Sequence, residues 1–277
     1  MRLSRLGLIS AGAIADIVLS TLARDLPKPL AQVSMLVPEK SAAKARGLLD
    51  RFGGRLAASR SVRTDILSFL GDSPAVVAEC ASHSAVLDFG PAILEAGCDL
   101  IVISIGALSS DATRAALEAA AGRGGGQIVL PAGAVGGIDA LGAARPAGIE
   151  SVVYTGRKSP KAWRGTRAET LVDLDALTGP VTFFEGSARQ AAKDYPFNAN
   201  VAATIALAGL GLDRTQVRLV ADPNATRNVH EFSVSSGCSD FTMALQGRPS
   251  PANPKTSLMA GYSVARELLN RASVIAI

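Results

Sequence analysis

The chain has 277 residues, 48% of them hydrophobic and 4% aromatic, with 28 basic against 24 acidic side chains for a net charge of +4. That length and apolar content allow one large or two modest domains with a buried core and exclude a disordered chain. No apolar run reaches the roughly 18 residues a membrane span needs, and the basic residues are dispersed instead of forming the stripe that nucleic acid would require.

The first predicted element is an apolar strand at 6–10, followed by a small-residue turn at Ala11 and Gly12 and a helical pattern from Ala13 and Ile14 onward. Strand, tight turn and helix in that order open a dinucleotide-binding domain, because small residues let the amides of the helix start approach a pyrophosphate. Gly12, Ala13 and Ile14 are therefore the candidate cofactor contacts of this segment. Gly12 is the glycine of closest approach. Ser10 stands where the tight-turn glycine of the fingerprint belongs, and Ala15 replaces the packing glycine. The same residues also fit a secretory signal, with Arg2 and Arg5 ahead of an apolar stretch and an Ala13-Ile14-Ala15 cleavage site. Against that reading, Asp16 follows directly, and cleavage would remove the first strand of the pattern below.

Buried strands are expected at 31–37, 75–80, 100–104 and 127–130, with helices at 41–51, 84–96 and 111–122. Near-continuous apolar strands alternating with helices imply an α/β domain, a doubly wound parallel sheet of Rossmann type. The small-residue crossing from Pro131 to Gly137 then changes the pattern. Strands are expected at 151–157, 181–184, 216–221, 228–235 and 240–246, with helices at 187–194 and 201–208. Strand following strand suggests a mixed or antiparallel sheet in an α+β domain. The organisation expected is a dinucleotide-binding domain at 1–132, an α+β substrate domain at 133–252, and a segment at 253–277 whose helix (256–270) packs back on the first domain.

Cys80, Cys98 and Cys238 form no C-x-x-C pair and read as small buried residues of a reducing compartment. No disulfide framework and no metal site are expected. Of the two histidines, His230 lies in a strand-like run where alternation puts Asn228, His230 and Phe232 on one face. An imidazole on a face turned toward the first domain suits acid/base work at neutral pH, while a structural histidine satisfied by hydrogen bonds is the alternative. His83, after the strand ending at Cys80, falls at the carboxyl edge of the parallel sheet, where it borders a ligand or is simply an exposed loop residue. Asn198 and Asn200 precede an apolar helix and can cap it, or turn their amides to a ligand. Arg157, Lys158, Arg248 and Lys255 are candidate partners for a substrate carboxylate, each with a solvated surface charge as the plainer alternative.

The chain resembles the L-aspartate dehydrogenases of the NAD-biosynthesis type. The likeness runs through the opening turn, Glu79-Cys80-Ala81-Ser82, Pro131-Ala132-Gly133-Ala134-Val135-Gly136-Gly137, Asn198-Ala199-Asn200, Asn228-Val229-His230-Glu231 and Asn253-Pro254-Lys255-Thr256. It implies a catalytic histidine at His230 and cofactor contacts at Ala134 and Asn200. It also implies reversible oxidative deamination of L-aspartate with NAD or NADP, and a cytoplasmic homodimer acting on small molecules. Asn228, Lys158 and Lys255 are the candidate substrate contacts. One departure bears on the cofactor: the second strand ends in Val37 and Pro38, with no carboxylate for a ribose 2′-hydroxyl and with Lys40, Lys44 and Arg46 downstream. NADP is therefore expected to serve at least as well as NAD. Two other functions remain open on sequence, a related dehydrogenase or reductase with another substrate and a non-catalytic dinucleotide sensor.

Overall fold

Leu6, Leu8 and Ile9 are buried, and the short strand that carries them, β1 (Arg5–Ile9), has a parallel neighbour on each side. In the computed structural model, which describes residues 3–196, 199–251 and 253–277 except the side chains of Pro254 and Lys255, the chain forms two units. These are Met1–Pro131 with Ser250–Ile277, and Ala132–Pro249.

The first unit is built on six parallel strands in the order β3-β2-β1-β4-β5-β6. The other strands of this sheet are β2 (Leu30–Leu36), β3 (Ala57–Arg63), β4 (Val76–Glu79), β5 (Asp99–Val102) and β6 (Ile128–Val129), of which β2 and β4 pair with β1. The helices are α1 (Ala13–Asp25), α2 (Ala42–Phe52), α3 (Ile66–Gly71), α4 (His83–Glu95) and α5 (Asp111–Gly124). Strand order reverses at β1 and β4, the switch point at which α/β sheets open a crevice beyond their carboxyl ends. Side-chain caps fix where three of the helices begin: Asp65, Ser82 and Ser110 accept from the amides of Ser68, Ala85 and Thr113.

β3 and α3 were not expected from sequence. β3 is an edge strand of sequence AASRSVR, mostly polar and in part exposed, so it carries no apolar run to read.

After Ser250 the chain returns to the first unit, where β12 (Pro249–Ser250) pairs with β13 (Asn253–Ser257) and a helix numbered α10 (Leu258–Ala272) follows. Val264 and Leu268 of α10 join the apolar core formed by Val18, Leu19 and Leu22 of α1. Gly261 lets the two helices come this close, because a Cβ there would lie 2.8 Å from Ile17 Cβ.

The second unit carries a five-stranded mixed sheet, β11-β10-β7-β9-β8. Its strands are β7 (Ile149–Lys158), β8 (Val181–Ser187), β9 (Gln216–Ala221), β10 (Val229–Ser236) and β11 (Phe241–Gln246). β7 runs parallel to β9 and antiparallel to β10, and β10 and β11 are antiparallel. Burial alternates strictly along β10 from His230 to Val234, so one face is covered and the other open. Among the helices of this unit, α6 (Ile138–Ala144), α8 (Ala188–Asp194) and α9 (Ala199–Ala208) contribute Leu141, Ala191, Ala202 and Ile205 to the core. Tyr154, Val217 and Phe232 from the sheet join the same core. The short helix α7 (Pro160–Trp163) seats the buried Trp163, whose indole donates to the Val220 carbonyl at 3.0 Å. Cys80 and Cys98 are buried as expected, but Cys238 is exposed in the turn at Ser236–Ser239, a hydrophilic setting that the apolar neighbourhood of the other two does not share.

The α1–α10 contact gives a direct test. Gly261→Val should destabilise the protein by about 1–3 kcal/mol through overpacking against Ile17, read as a lower urea midpoint at unchanged slope. An unaltered midpoint would mean that α10 does not pack as described.

Candidate active site

In the first unit, the carboxyl ends of β1, β2 and β4 open into a crevice of about 600 Å³ lined in part by Ser10, Gly12, Val37, Ser41, Lys44 and Ser82. Gly12 precedes α1 with φ −87° and ψ −171°, and no side chain caps that helix. The amides of its first turn, at Ala13 and Ile14, are thus left for a ligand, and the positive end of a 13-residue helix adds to their pull on an anion. These features fit the pyrophosphate of a dinucleotide. Ser10 takes up φ +117°, a conformation ordinarily reserved for glycine, and its Oγ accepts from the Gly12 amide at 2.9 Å. The serine therefore keeps the turn that the fingerprint glycine would make and satisfies one of the amides itself. Asp16, in the first turn of α1, is neutralised by an ion pair with Arg51.

The end of β2 offers no carboxylate to the crevice. Val37 and Pro38 line it, followed by Ser41 and Lys44 at the start of α2, whereas Glu39 is exposed and not among the lining residues. Sequence reasoning passed over Glu79, which lies at the end of β4 and is fully buried. Its Oε1 accepts from the amides of Ala81 (2.6 Å) and Ser82 (2.9 Å) and from Ser104 Oγ (3.0 Å), while Oε2 accepts from the Ser104 amide (3.0 Å). Burial pushes the carboxyl pKa up, opposed by these four bonds. Glu79 joins the loops after β4 and β5, and the first of these, through Ala81 and Ser82, lines the crevice. His83 is the first residue of α4, half-buried, and its neighbours Ser82 and Ser84 line the crevice.

In the second unit, His230 is 7% exposed and directly opposite Gly156 on β7 and Leu245 on β11. Its Nδ1 lies 2.8 Å from the Tyr154 hydroxyl, and the two rings are nearly parallel at 6.1 Å. Burial, with a contribution from the charge of Lys158, lowers the imidazole pKa to about 4. The ring is therefore neutral at physiological pH. Burial also holds the Tyr154 phenol well above its ordinary value, so it stays protonated.

Lys158 ends β7 two residues beyond Gly156, on the same face by alternation, and its ammonium lies 5.0 Å from the centre of the Trp163 ring. Enough protein surrounds this half-buried side chain to bring its pKa down to about 8. Asn228 sits immediately before β10 on the His230 face, and its carbonyl accepts from the Gly247 amide at 2.9 Å.

The remaining candidates are placed as follows. Arg157 falls on the opposite face and pairs with Asp222 at 3.0 Å, a structural use of its charge. Arg248 is exposed. Lys255 lies in β13, its side chain outside the described residues, as is Asn198. Asn200 is exposed in the first turn of α9 and does not cap it, since the helix already begins at Ala199. Ala134 is half-buried against the second core, in a loop where Gly133 and Gly137 both have φ +70°. A Cβ on Gly137 would meet Met243 Cε at 3.2 Å and Phe232 Cζ at 3.4 Å, so that loop lies against β11 and against β10, the strand carrying His230.

Comparison with known proteins bears on both units. Residues 11–131 match the family model described as "Homoserine dehydrogenase, NAD binding domain", and residues 139–271 match "Aspartate dehydrogenase, C-terminal". The chain is 47% identical over 273 residues to the L-aspartate dehydrogenase of Pseudomonas aeruginosa, covering 98% of each. It is 46% identical over 276 residues to that of a Polaromonas species, covering 99% of each. Its fold is that of the aspartate dehydrogenase of Thermotoga maritima, with a TM-score of 0.74 at 24% identity over 99% of each chain. The chain therefore belongs to the L-aspartate dehydrogenase family.

Proposed function

We propose that this protein catalyses the reversible oxidative deamination of L-aspartate to iminoaspartate, which water converts to oxaloacetate and ammonia. The observation that carries the reading is a buried imidazole and a half-buried ammonium on one sheet face, in a chain whose near relatives over its whole length are L-aspartate dehydrogenases. A nicotinamide dinucleotide, when bound, supplies the acceptor for the hydride that leaves Cα.

The residues of this chain have the remaining work. Ala13 and Ile14 offer the helix-start amides to the pyrophosphate, Gly12 with no side chain lets it come close, and the family likeness adds Ala134 and Asn200 as cofactor contacts. The substrate ammonium must lose a proton before Cα can give up hydride, and a water must lose one as it adds to the imine carbon. His230, whose pKa burial lowers to about 4, is neutral at working pH and so has one ring nitrogen able to take such a proton. Lys158, still mostly protonated at neutral pH, is a partner for a substrate carboxylate. Asn228 on the same face and Lys255 complete the proposed substrate contacts.

Three finer points belong to the same reading. NADP is accepted at least as well as NAD, because Ser41 and Lys44 line the crevice just beyond β2 and that edge contributes no carboxylate to repel a 2′-phosphate, the lining Asp88 lying on α4 instead. The family likeness implies a homodimer of the cytoplasm. It also implies that iminoaspartate is drawn off into pyridine nucleotide synthesis.

Assay of the purified protein with L-aspartate and either coenzyme, and in reverse with oxaloacetate and ammonia, tests the reaction. His230→Ala should lower turnover by about 10²–10⁴-fold and leave coenzyme affinity nearly unchanged. Turnover close to wild type would remove His230 from the mechanism. With NADP, kcat/KM should equal or exceed that with NAD, and Lys44→Ala should reduce the NADP value by about 10-fold or more, the scale of one charge-assisted hydrogen bond. A large preference for NAD in the wild type would refute the assignment.

A further inference from the structure

Among the described residues, the His230 ring is held by its Nδ1. Tyr154 and His230 are diagonal neighbours on adjacent antiparallel strands, with Tyr154 opposite Phe232 and His230 opposite Gly156. Their separation of 76 residues in sequence is closed by a 2.8 Å hydrogen bond inside the fold. Gly156 is what permits it. A Cβ at that position would lie 2.7 Å from the Tyr154 hydroxyl oxygen and would displace the phenol.

We propose that Tyr154 is the positioning residue of His230: its hydroxyl tethers the imidazole by Nδ1 and so makes Nε2 the nitrogen presented to substrate. The proposal rests on the reading that His230 works on the substrate, and it adds how the ring is oriented and which nitrogen is used. A phenol hydroxyl is both donor and acceptor, so it can donate to a bare Nδ1 or accept from a protonated one. The tether therefore survives when the ring changes tautomer or gains a proton. A carboxylate in the same place could only accept and would favour the charged ring, and an ammonium could only donate.

The 2.8 Å bond joins Nδ1 to a hydroxyl that can serve as its donor or its acceptor. Nε2 can take a substrate proton only if it is bare, so in the working tautomer Nδ1 carries the ring hydrogen and donates it to the phenol oxygen. When Nε2 takes the proton, an N–H bond forms there as the N–H bond of the substrate or the O–H bond of water breaks, and the Nδ1–H and phenol O–H bonds are kept.

Two-bond proton–nitrogen correlation spectra read this directly, because the chain contains only two histidines and a His83→Gln variant assigns the signals. The expected wild-type spectrum shows His230 with Nδ1 protonated and Nε2 bare. In Tyr154→Phe both tautomers should be populated, and kcat should fall about 10–100-fold with the KM for coenzyme unchanged, the loss expected of a misplaced reacting group. A wild-type ring protonated on Nε2, or a Tyr154→Phe protein with the wild-type tautomer and turnover, would overturn the proposal. The wild-type spectrum decides the tautomer even if the variant fails to fold. Full activity in His230→Ala would instead sink the catalytic reading of His230 while leaving the tether to stand or fall on the spectra.

Discussion

The chemistry proposed for the second unit depends on a missing methyl group. At Gly156 the sheet carries no side chain opposite His230, and into that space comes the hydroxyl of Tyr154, two residues earlier on the same strand and face. Neither polar group could be buried alone at low cost, since an unsatisfied donor or acceptor in such a place costs about 1–3 kcal/mol. Paired, they satisfy one another and fix the ring against a core of Phe232, Val217 and Leu219. The same packing that buries the imidazole decides its charge: removal from water disfavours the imidazolium, and the ammonium of Lys158 disfavours it further.

Lys158 meets the same physics with a different outcome. Burial lowers its pKa only to about 8, so it remains largely charged at neutral pH while the imidazole is neutral. One face of one sheet thereby holds a proton acceptor beside a cation, a combination suited to an anionic amino acid that must lose protons. The first unit answers a different demand. There the backbone does the work, through uncapped amides at the start of α1 and a turn in which Ser10 adopts φ +117°. The Ser10 hydroxyl bond to the Gly12 amide offsets part of the conformational cost of placing a side chain where glycine is usual.

Much of this was readable from the chain alone. Apolar runs around Leu8, Val33, Val77 and Ile101 marked the parallel strands because a strand buried on both faces needs an unbroken apolar sequence. Alternation through Asn228, His230 and Phe232 marked the covered face of β10. β3 escaped notice because its polar sequence at a sheet edge lacks that signal, and α3 because six residues hold too few turns to show a period. Tyr154 escaped because its significance lies in the register of β7 against β10, which neither strand encodes by itself. The pattern Tyr154, Gly156, Lys158 at alternate positions of one strand was the available clue, a glycine between two polar residues on a face otherwise built for a core. Glu79 was quoted for its place in a motif, but its four hydrogen bonds to two separate loops are a matter of tertiary structure.

The central claim is that His230 works as a buried, neutral imidazole. Following its ring signals by NMR between pH 8 and pH 3.5 in the wild-type protein tests this most directly. The ring should stay neutral until the pH approaches about 4, while His83 serves as an internal comparison in the same spectra. A His230 midpoint near the ordinary histidine value of ~6.5 would show a solvated or charge-stabilised ring and would contradict the account.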